Sequence, residues 1–140
     1  MNILKDSESI LKVRKIIIEK MSLERSTGDI TSGELESNFK KDILEIEKDK
    51  YKVSLELLMN NEDKTLMINI KVTGMFEFES EIDGDVKKDL IEQNTISILF
   101  PYIRTQVTLL TSQPGMQPIV IPPININALL ENLSKNDHRS

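Results

Sequence analysis

Hydrophobic and polar residues alternate through the first part of the chain and then recur at three- and four-residue steps, dividing it into a strand region followed by a helical one. The first run, "LKVRKIIIEKMSLER" from Leu11 to Arg25, is rich in β-branched and aliphatic residues and reads as a strand. Simple alternation puts Ile17, Met21 and Leu23 on one face and Ile16 and Ile18 on the other, so both faces are expected to be partly covered. Ser26 to Lys41 is polar with two glycines and reads as a long connection. Ile43, Leu44 and Ile46 then begin a short strand, after which Tyr51, Val53, Leu55, Leu57 and Met59 alternate with Lys52, Ser54 and Glu56. Beyond the polar turn "NNEDKT", Ile68, Ile70, Val72, Phe76 and Phe78 line one face of a further strand, with Gly74 as the expected site of a bulge. Four antiparallel strands are the economical reading.

After "DGD" the period is helical. Asp85 to Gln93 suits a short helix, and Asn94 or Thr95 suits the cap of a second. In that second helix Ile96, Leu99, Phe100, Ile103, Val107 and Leu110 form a wide apolar stripe, while Ile98, Tyr102 and Leu109 lie off it. Such a helix is expected to be covered twice, by its own sheet and by another subunit. Pro101 falls in the middle, where a proline removes one helical hydrogen bond at about 3 kcal/mol. Either it bends the helix to follow a twisted sheet while touching a neighbour, or it starts a second helical segment where it costs little. The segment "SQPGMQPIVIPP" then holds four prolines between Pro114 and Pro123 and must be extended. Asn125 caps a last short helix carrying Ile126, Leu129, Leu130 and Leu133. The expected organisation is a single α+β domain over 1–140. It has a tail at 1–10, a sheet at 11–82 with a crossover at 26–42, helices at 85–133 with a proline-rich connection at 113–124, and a flexible tail at 134–140.

Composition narrows the function. The net charge is −5 and no run of lysines exceeds a pair, which argues against nucleic acid. The absence of cysteine excludes disulfides and thiolate chemistry, and with neither a signal-like nor a membrane-spanning run the expected location is cytoplasmic. No phosphate-binding glycine loop and no histidine pair is present, and the one histidine, His138, sits in the tail. The acidic series Glu79, Glu81, Asp83 and Asp85 reads as a strand end leading into a helix N-terminus, and Asp83-Gly84-Asp85 lacks the other ligands of a calcium loop. "NLS" at Asn132 matches a glycosylation pattern that has no meaning without secretion. The expectation is a protein that is not an enzyme and that carries no cofactor or metal.

Ile98, Leu99, Phe100, Pro101, Tyr102 and Arg104, followed by Pro123, Asn125, Ala128 and Leu129, resemble two motifs of the SecB protein-export chaperones. In that family an "ILFPYAR"-like helix precedes a proline-rich extended segment ending in a "PVNFDALF"-like motif. Upstream, "KVRKIIIEKMSLE" is similar to the family's first strand, "NFKKD" to its crossover, and Gly74-Met75-Phe76 to a step late in its last strand. The resemblance implies a four-stranded antiparallel sheet with helices on one face, assembled as a dimer of dimers. Paired first strands and the long helices would form the contacts, which places Ile16, Ile18, Ile98, Tyr102 and Leu109 at oligomer interfaces. It also implies an ATP-independent holdase that keeps unfolded or nascent polypeptides soluble or export-competent as a homotetramer, with no nucleic acid and no membrane insertion.

The candidate client groove comprises Phe39, Ile43, Leu44 and Ile46 with Ile126, Leu129, Leu130 and Leu133; simple core packing is the alternative for each, evenly weighed for the strand residues Ile43, Leu44 and Ile46, while Phe39 is the favoured groove residue, as a lone aromatic in a polar connection. The six methionines suit a surface that adapts to varied clients. The family engages the SecA motor through acidic residues on the outer sheet face and an acidic tail. Here Lys20 and Asn69 stand at two of those positions, Glu24 alone remains as a candidate motor contact, and the tail "NDHRS" is mixed in charge. These departures count against SecA as a partner. They favour other clients, including an antitoxin, with a small-ligand-binding α+β protein as the alternative from another class.

Overall fold

In the computed structural model, residues 10–26, 35–121 and 128–133 are described. Four strands, β1 (Leu11–Arg25), β2 (Leu35–Glu47), β3 (Lys50–Asn61) and β4 (Leu66–Phe78), form one sheet in the order β1-β4-β3-β2. Every neighbouring pair is antiparallel. The β2–β3 and β3–β4 pairs are hairpins, whereas the successive strands β1 and β2 lie at opposite edges.

The alternation in β3 and β4 does what the sequence implies. Val53, Leu55, Leu57 and Met59 pair with Gly74, Val72, Ile70 and Ile68, so all project from the same side of the sheet. A helix lies across that side and buries Ile96, Leu99, Phe100, Ile103 and Val107 against them. Each such side chain removed from water contributes about 1.5–3 kcal/mol, so this layer is the main source of stability. The opposite, outer face of the sheet has no helix on it among the described residues and is mostly polar.

Three details of the sheet differ from simple alternation. Strand β2 begins at Leu35, so the supposed connection of 26–42 is already strand over its last part, and Phe39 lies within β2 rather than in a loop. An edge strand needs apolar residues only where it meets the core, which makes its sequence look polar. The bulges fall in β1, at Arg14 and Glu19, not at Gly74. Because the Glu19 bulge shifts the parity of the rest of the strand, Met21 pairs with Ile70 and Leu23 with Ile68, on the same side as Ile16 and Ile18.

Gly74 serves a different purpose. A Cβ there would lie 2.5 Å from one ring carbon of Phe76 and 3.1 Å from a methyl of Leu99, both fully buried. The missing side chain lets the Phe76 ring fold back across the strand beneath the helix. Gly74→Ala is therefore expected to destabilise the protein by about 1–3 kcal/mol, through overpacking rather than backbone strain, as read by urea denaturation.

The helical region is one continuous run. α1 (Gly84–Asp89) passes through a wide π turn at Leu90–Asn94 into α2 (Thr95–Thr111). The expected cap at Asn94 or Thr95 does not form: Asn94 is itself helical and makes no capping bond, and the Thr95 hydroxyl donates back to the Ile91 carbonyl. Pro101 is inside α2 and does not start a segment, so the Ser97 carbonyl lacks its regular amide partner. α1 is tied to the β2–β3 turn by Lys87, whose Nζ lies 2.6 Å from Asp49 Oδ1 and over the rings of Tyr51 and Phe78.

After α2 the chain reverses and runs back along the helix as an extended strap. Thr108 Oγ1 donates to the Ile119 carbonyl at 3.0 Å, Arg104 Nε donates to the Ile121 carbonyl at 2.9 Å, and the Ile119 amide donates to Thr111 Oγ1 at 2.8 Å. Ile119 and Ile121 pack inward, while Val120 between them is exposed. Helix α3 (128–133) completes the described structure.

Candidate functional site

The residues proposed for a client groove separate into three settings. Phe39 is 5% exposed, its ring centroid 5.9 Å from that of Phe100 on α2. Leu129 and Leu133 of α3 are buried in the same core, and Ile43 and Leu130 are half-buried against it. Leu44 and Ile46, by contrast, are 54% and 46% exposed at the end of β2. Ile126 and the expected cap Asn125 lie outside the described residues. Strand β2 and helix α3 are thus neighbours, with a sealed inner part and an open outer part.

Asn132 makes the junction. Its Oδ1 accepts the Phe39 backbone amide at 3.3 Å, so a side chain from α3 satisfies a main-chain donor of β2. Sequence reasoning gave Asn132 no structural role, and none to the Thr108–Thr111 pair that holds the strap. Each looks like an ordinary surface polar residue until the fold shows what lies opposite.

The residues proposed for subunit contacts occupy two other surfaces. Ile16 and Ile18 are half-buried on the helix side of β1, beside the exposed Val13 and Met21. On α2, Ile98, Tyr102 and Leu109 recur at helical steps away from the sheet. Tyr102 is 43% and Leu109 56% exposed, whereas Ile98 is partly covered by the core. An open groove of about 510 Å3 runs between Pro101, Thr105 and Leu109 on the helix and Val120 on the strap.

On the outer face, Lys20, Glu24 and Asn69 gather round a depression of about 180 Å3 with Ser22, Leu58 and Met67. Glu24 is exposed there, and the Oδ1 of Asn69 is buried with no hydrogen-bond partner among the described residues. Beside it the Glu19 carboxylate lies 3.7 Å from Lys71 and 3.9 Å from Lys52. A hydrogen bond from Thr73 and these two ammonium groups hold Glu19 below its ordinary value of 4.5.

A carboxylate depressed in the folded state adds stability above its unfolded value, and that contribution disappears as pH falls through the folded value. Glu19→Gln is accordingly expected to lower the melting temperature at neutral pH and to make it change less on acidification below 4.5 than the parent's does. A parallel pair of curves would show that Glu19 is not coupled to folding.

Among the described residues no group of His, Asp or Glu is arranged to hold a metal ion, and no helix is long and apolar enough to cross a membrane. Residues 5–137 match the family model described as preprotein translocase subunit SecB. The chain belongs to the SecB family. A protein-export protein SecB from Aromatoleum aromaticum is 21% identical over 134 residues, a match spanning 89% of this chain and 84% of that protein. An uncharacterised protein of Methanocaldococcus jannaschii is 31% identical over 68 residues, and that match spans 49% of this chain but only 43% of its relative. The same fold is seen in the SecB-like chaperone of Mycobacterium tuberculosis, solved with a ChAD peptide from the HigA1 antitoxin. It aligns with a TM-score of 0.69 at 12% identity, covering 86% of this chain and 92% of that one. The SecB fold accounts for the α+β architecture, the four-stranded antiparallel sheet and the long helix on one face of it.

Proposed function

We propose that this SecB-family protein is an ATP-independent holdase that binds unfolded polypeptides across the open end of β2 beside α3. The observation that carries the reading is the exposure of Leu44, on the outer face, and Ile46 at the end of β2, a strand whose inner face seals an apolar layer of Phe39, Leu129 and Leu133. A holdase must recover hydrophobic free energy, about 25 cal/mol per Å2 of apolar area, from chains of any sequence. A strand backed on its inner side by a rigid apolar floor, with accessible side chains at its end, suits that task. Phe39 and the two leucines are the floor in this reading, and Ile43, Leu44, Ile46 and Leu130 are the parts a client touches.

The assembly is a homotetramer located in the cytoplasm. The half-covered apolar side of β1 and the second stripe of α2 support it, since each is a surface that a partner copy would remove from water. Pro101 stands on the exposed side of α2 next to Tyr102, where a bend of the helix would serve the subunit contact. Neither of the two depressions is an enclosed cavity, which weighs against a small-molecule carrier.

An antitoxin client is a second reading. Lys20 and Asn69 leave the outer face short of acidic groups for a motor protein, and the M. tuberculosis relative was solved with an antitoxin peptide. The deciding experiment measures assembly mass together with binding of a permanently unfolded protein, without ATP. A tetramer that binds the client and suppresses its aggregation is expected. A monomer without client binding would overturn the proposal.

A further inference from the structure

We propose that the outer face of the sheet, around Lys15, Lys20, Lys52 and Lys71, docks an acidic, extended segment of a partner protein. This inference stands apart from the holdase reading, which concerns β2 and α3. It begins with the two bulges of β1. At each, two residues of β1 stand against one of β4: Arg14 and Lys15 against Met75, Glu19 and Lys20 against Lys71. All four side chains come to the outer face. Lys15 and Lys20 pair with residues of that face, Arg14 Nε lies 2.8 Å from Glu77 Oε2, and the Glu19 carboxylate reaches both Lys71 and Lys52. Rows therefore run across the strands, one of Lys15, Met75 and Lys52, another of Lys20, Lys71 and Glu56, with Ile17 and Thr73 between them.

The whole chain has a net charge of −5, yet this band is rich in lysine. Lys20 stands directly opposite Lys71, a like-charge pair across strands that costs stability. Nearby carboxylates are already engaged: Glu19 lies between Lys71 and Lys52, and Arg14 holds Glu77 and Glu79. The lowered Glu19 carboxyl, bonded to Thr73 and flanked by two ammonium groups, reports the same local field. Lys15 and Lys20 are exposed and have no ionic partner among the described residues. An anionic partner would supply one. Along an extended peptide, side chains on one face recur about every 6.8 Å, the repeat of the rows beneath. Acidic residues four apart would meet the two lysine rows, and an apolar residue midway would cover Ile17, which is 39% exposed. Glu19, Glu56 and Glu77, set among the lysines, repel the continuous charge of a nucleic acid or an anionic membrane, whereas a peptide can place its carboxylates between them.

The test uses the full chain and a fluorescein-labelled peptide of about 12 residues repeating Glu-Thr-Val-Thr, long enough to span both lysine rows. It is expected to bind, with an affinity that falls at least about fivefold between about 50 and 300 mM sodium chloride. The same peptide with Gln for every Glu is expected to bind at least about tenfold more weakly, an arm that depends on no protein variant. Lys15→Gln with Lys20→Gln is expected to weaken the Glu peptide at least about fivefold and to leave the melting temperature unchanged or raised, since the Lys20–Lys71 repulsion is removed. Binding of an unfolded client of no net charge is expected to stay the same in that variant, because β1 lies three strand spacings, about 14 Å, from Leu44 on β2. Equal binding of the Glu and Gln peptides would overturn the proposal. So would tighter binding of oligothymidylate or of phosphatidylserine vesicles at the same salt, which would assign the face to a nucleic acid or a membrane. A fall in assembly mass in the variant would overturn it in favour of a contact between copies of this chain, and an equal loss of client binding would make the face part of the client site. Failure of the parent to bind any unfolded protein would remove the holdase reading and leave this inference standing.

Discussion

Phe39→Ala is expected to lower the stability of the protein by about 3–5 kcal/mol, seen as an earlier midpoint in urea with an unchanged slope. The ring lies between β2 and α2, against Phe100, in a layer that also contains Leu129 and Leu133. Its removal leaves a cavity that rigid neighbours on a sheet and a helix cannot collapse to fill. The same substitution separates two roles that sequence reasoning could not. A side chain reserved for clients would be lost with a change under about 1 kcal/mol and a direct fall in binding. A floor residue would show the opposite order, with stability falling first and binding following the loss of structure. A small stability effect with abolished binding would return Phe39 to the groove itself.

The second large effect is on function alone. Changing Leu44 and Ile46 together to threonine keeps β-branched or strand-compatible side chains at exposed positions, so stability is expected to shift by no more than about 0.5 kcal/mol for each. Binding of an unfolded client is expected to weaken by at least about tenfold, or about 1.4 kcal/mol, because two apolar contacts at the open margin are lost. Each contact fully covered by a client would be worth about 1.5–3 kcal/mol, and partial cover gives less. Anisotropy titration of a labelled unfolded protein reads the change, and melting curves control for the fold. Unchanged affinity would place the client elsewhere, with the α2–strap groove at Pro101, Leu109 and Val120 as the next surface to vary.

Much of the site's scaffold was legible in the sequence, for reasons that differ from strand to strand. β3 and β4 are central, paired on both sides, and covered by a helix on one face. Their alternation from Tyr51 to Met59 and from Ile68 to Phe78 is therefore unbroken and unmistakable. β2 is an edge strand with only Phe39 fully buried among its apolar residues, and "LESNFKKD" accordingly looks like a loop. β1 misled for another reason. A bulge leaves no mark in composition, so the parity of Met21 and Leu23 could be fixed only by their partners Ile70 and Ile68. Similarly, a π turn preserves helical spacing closely enough that Asn94 passed for a cap.

By itself the chain's sequence determined the order of strands and helices, the apolar stripe of α2, the extended nature of the proline-rich strap, and family membership through residues around Pro101. These depend on local spacing and backbone chemistry, which act over a few residues. Tertiary structure alone decided which apolar residues became floor and which stayed accessible. Phe39 and Leu44 are five positions apart in one strand and have similar hydrophobicity, yet one faces Phe100 and the other faces solvent opposite Lys52. Burial depends on what is brought across from distant parts of the chain, here α2 and α3, and no local pattern records that.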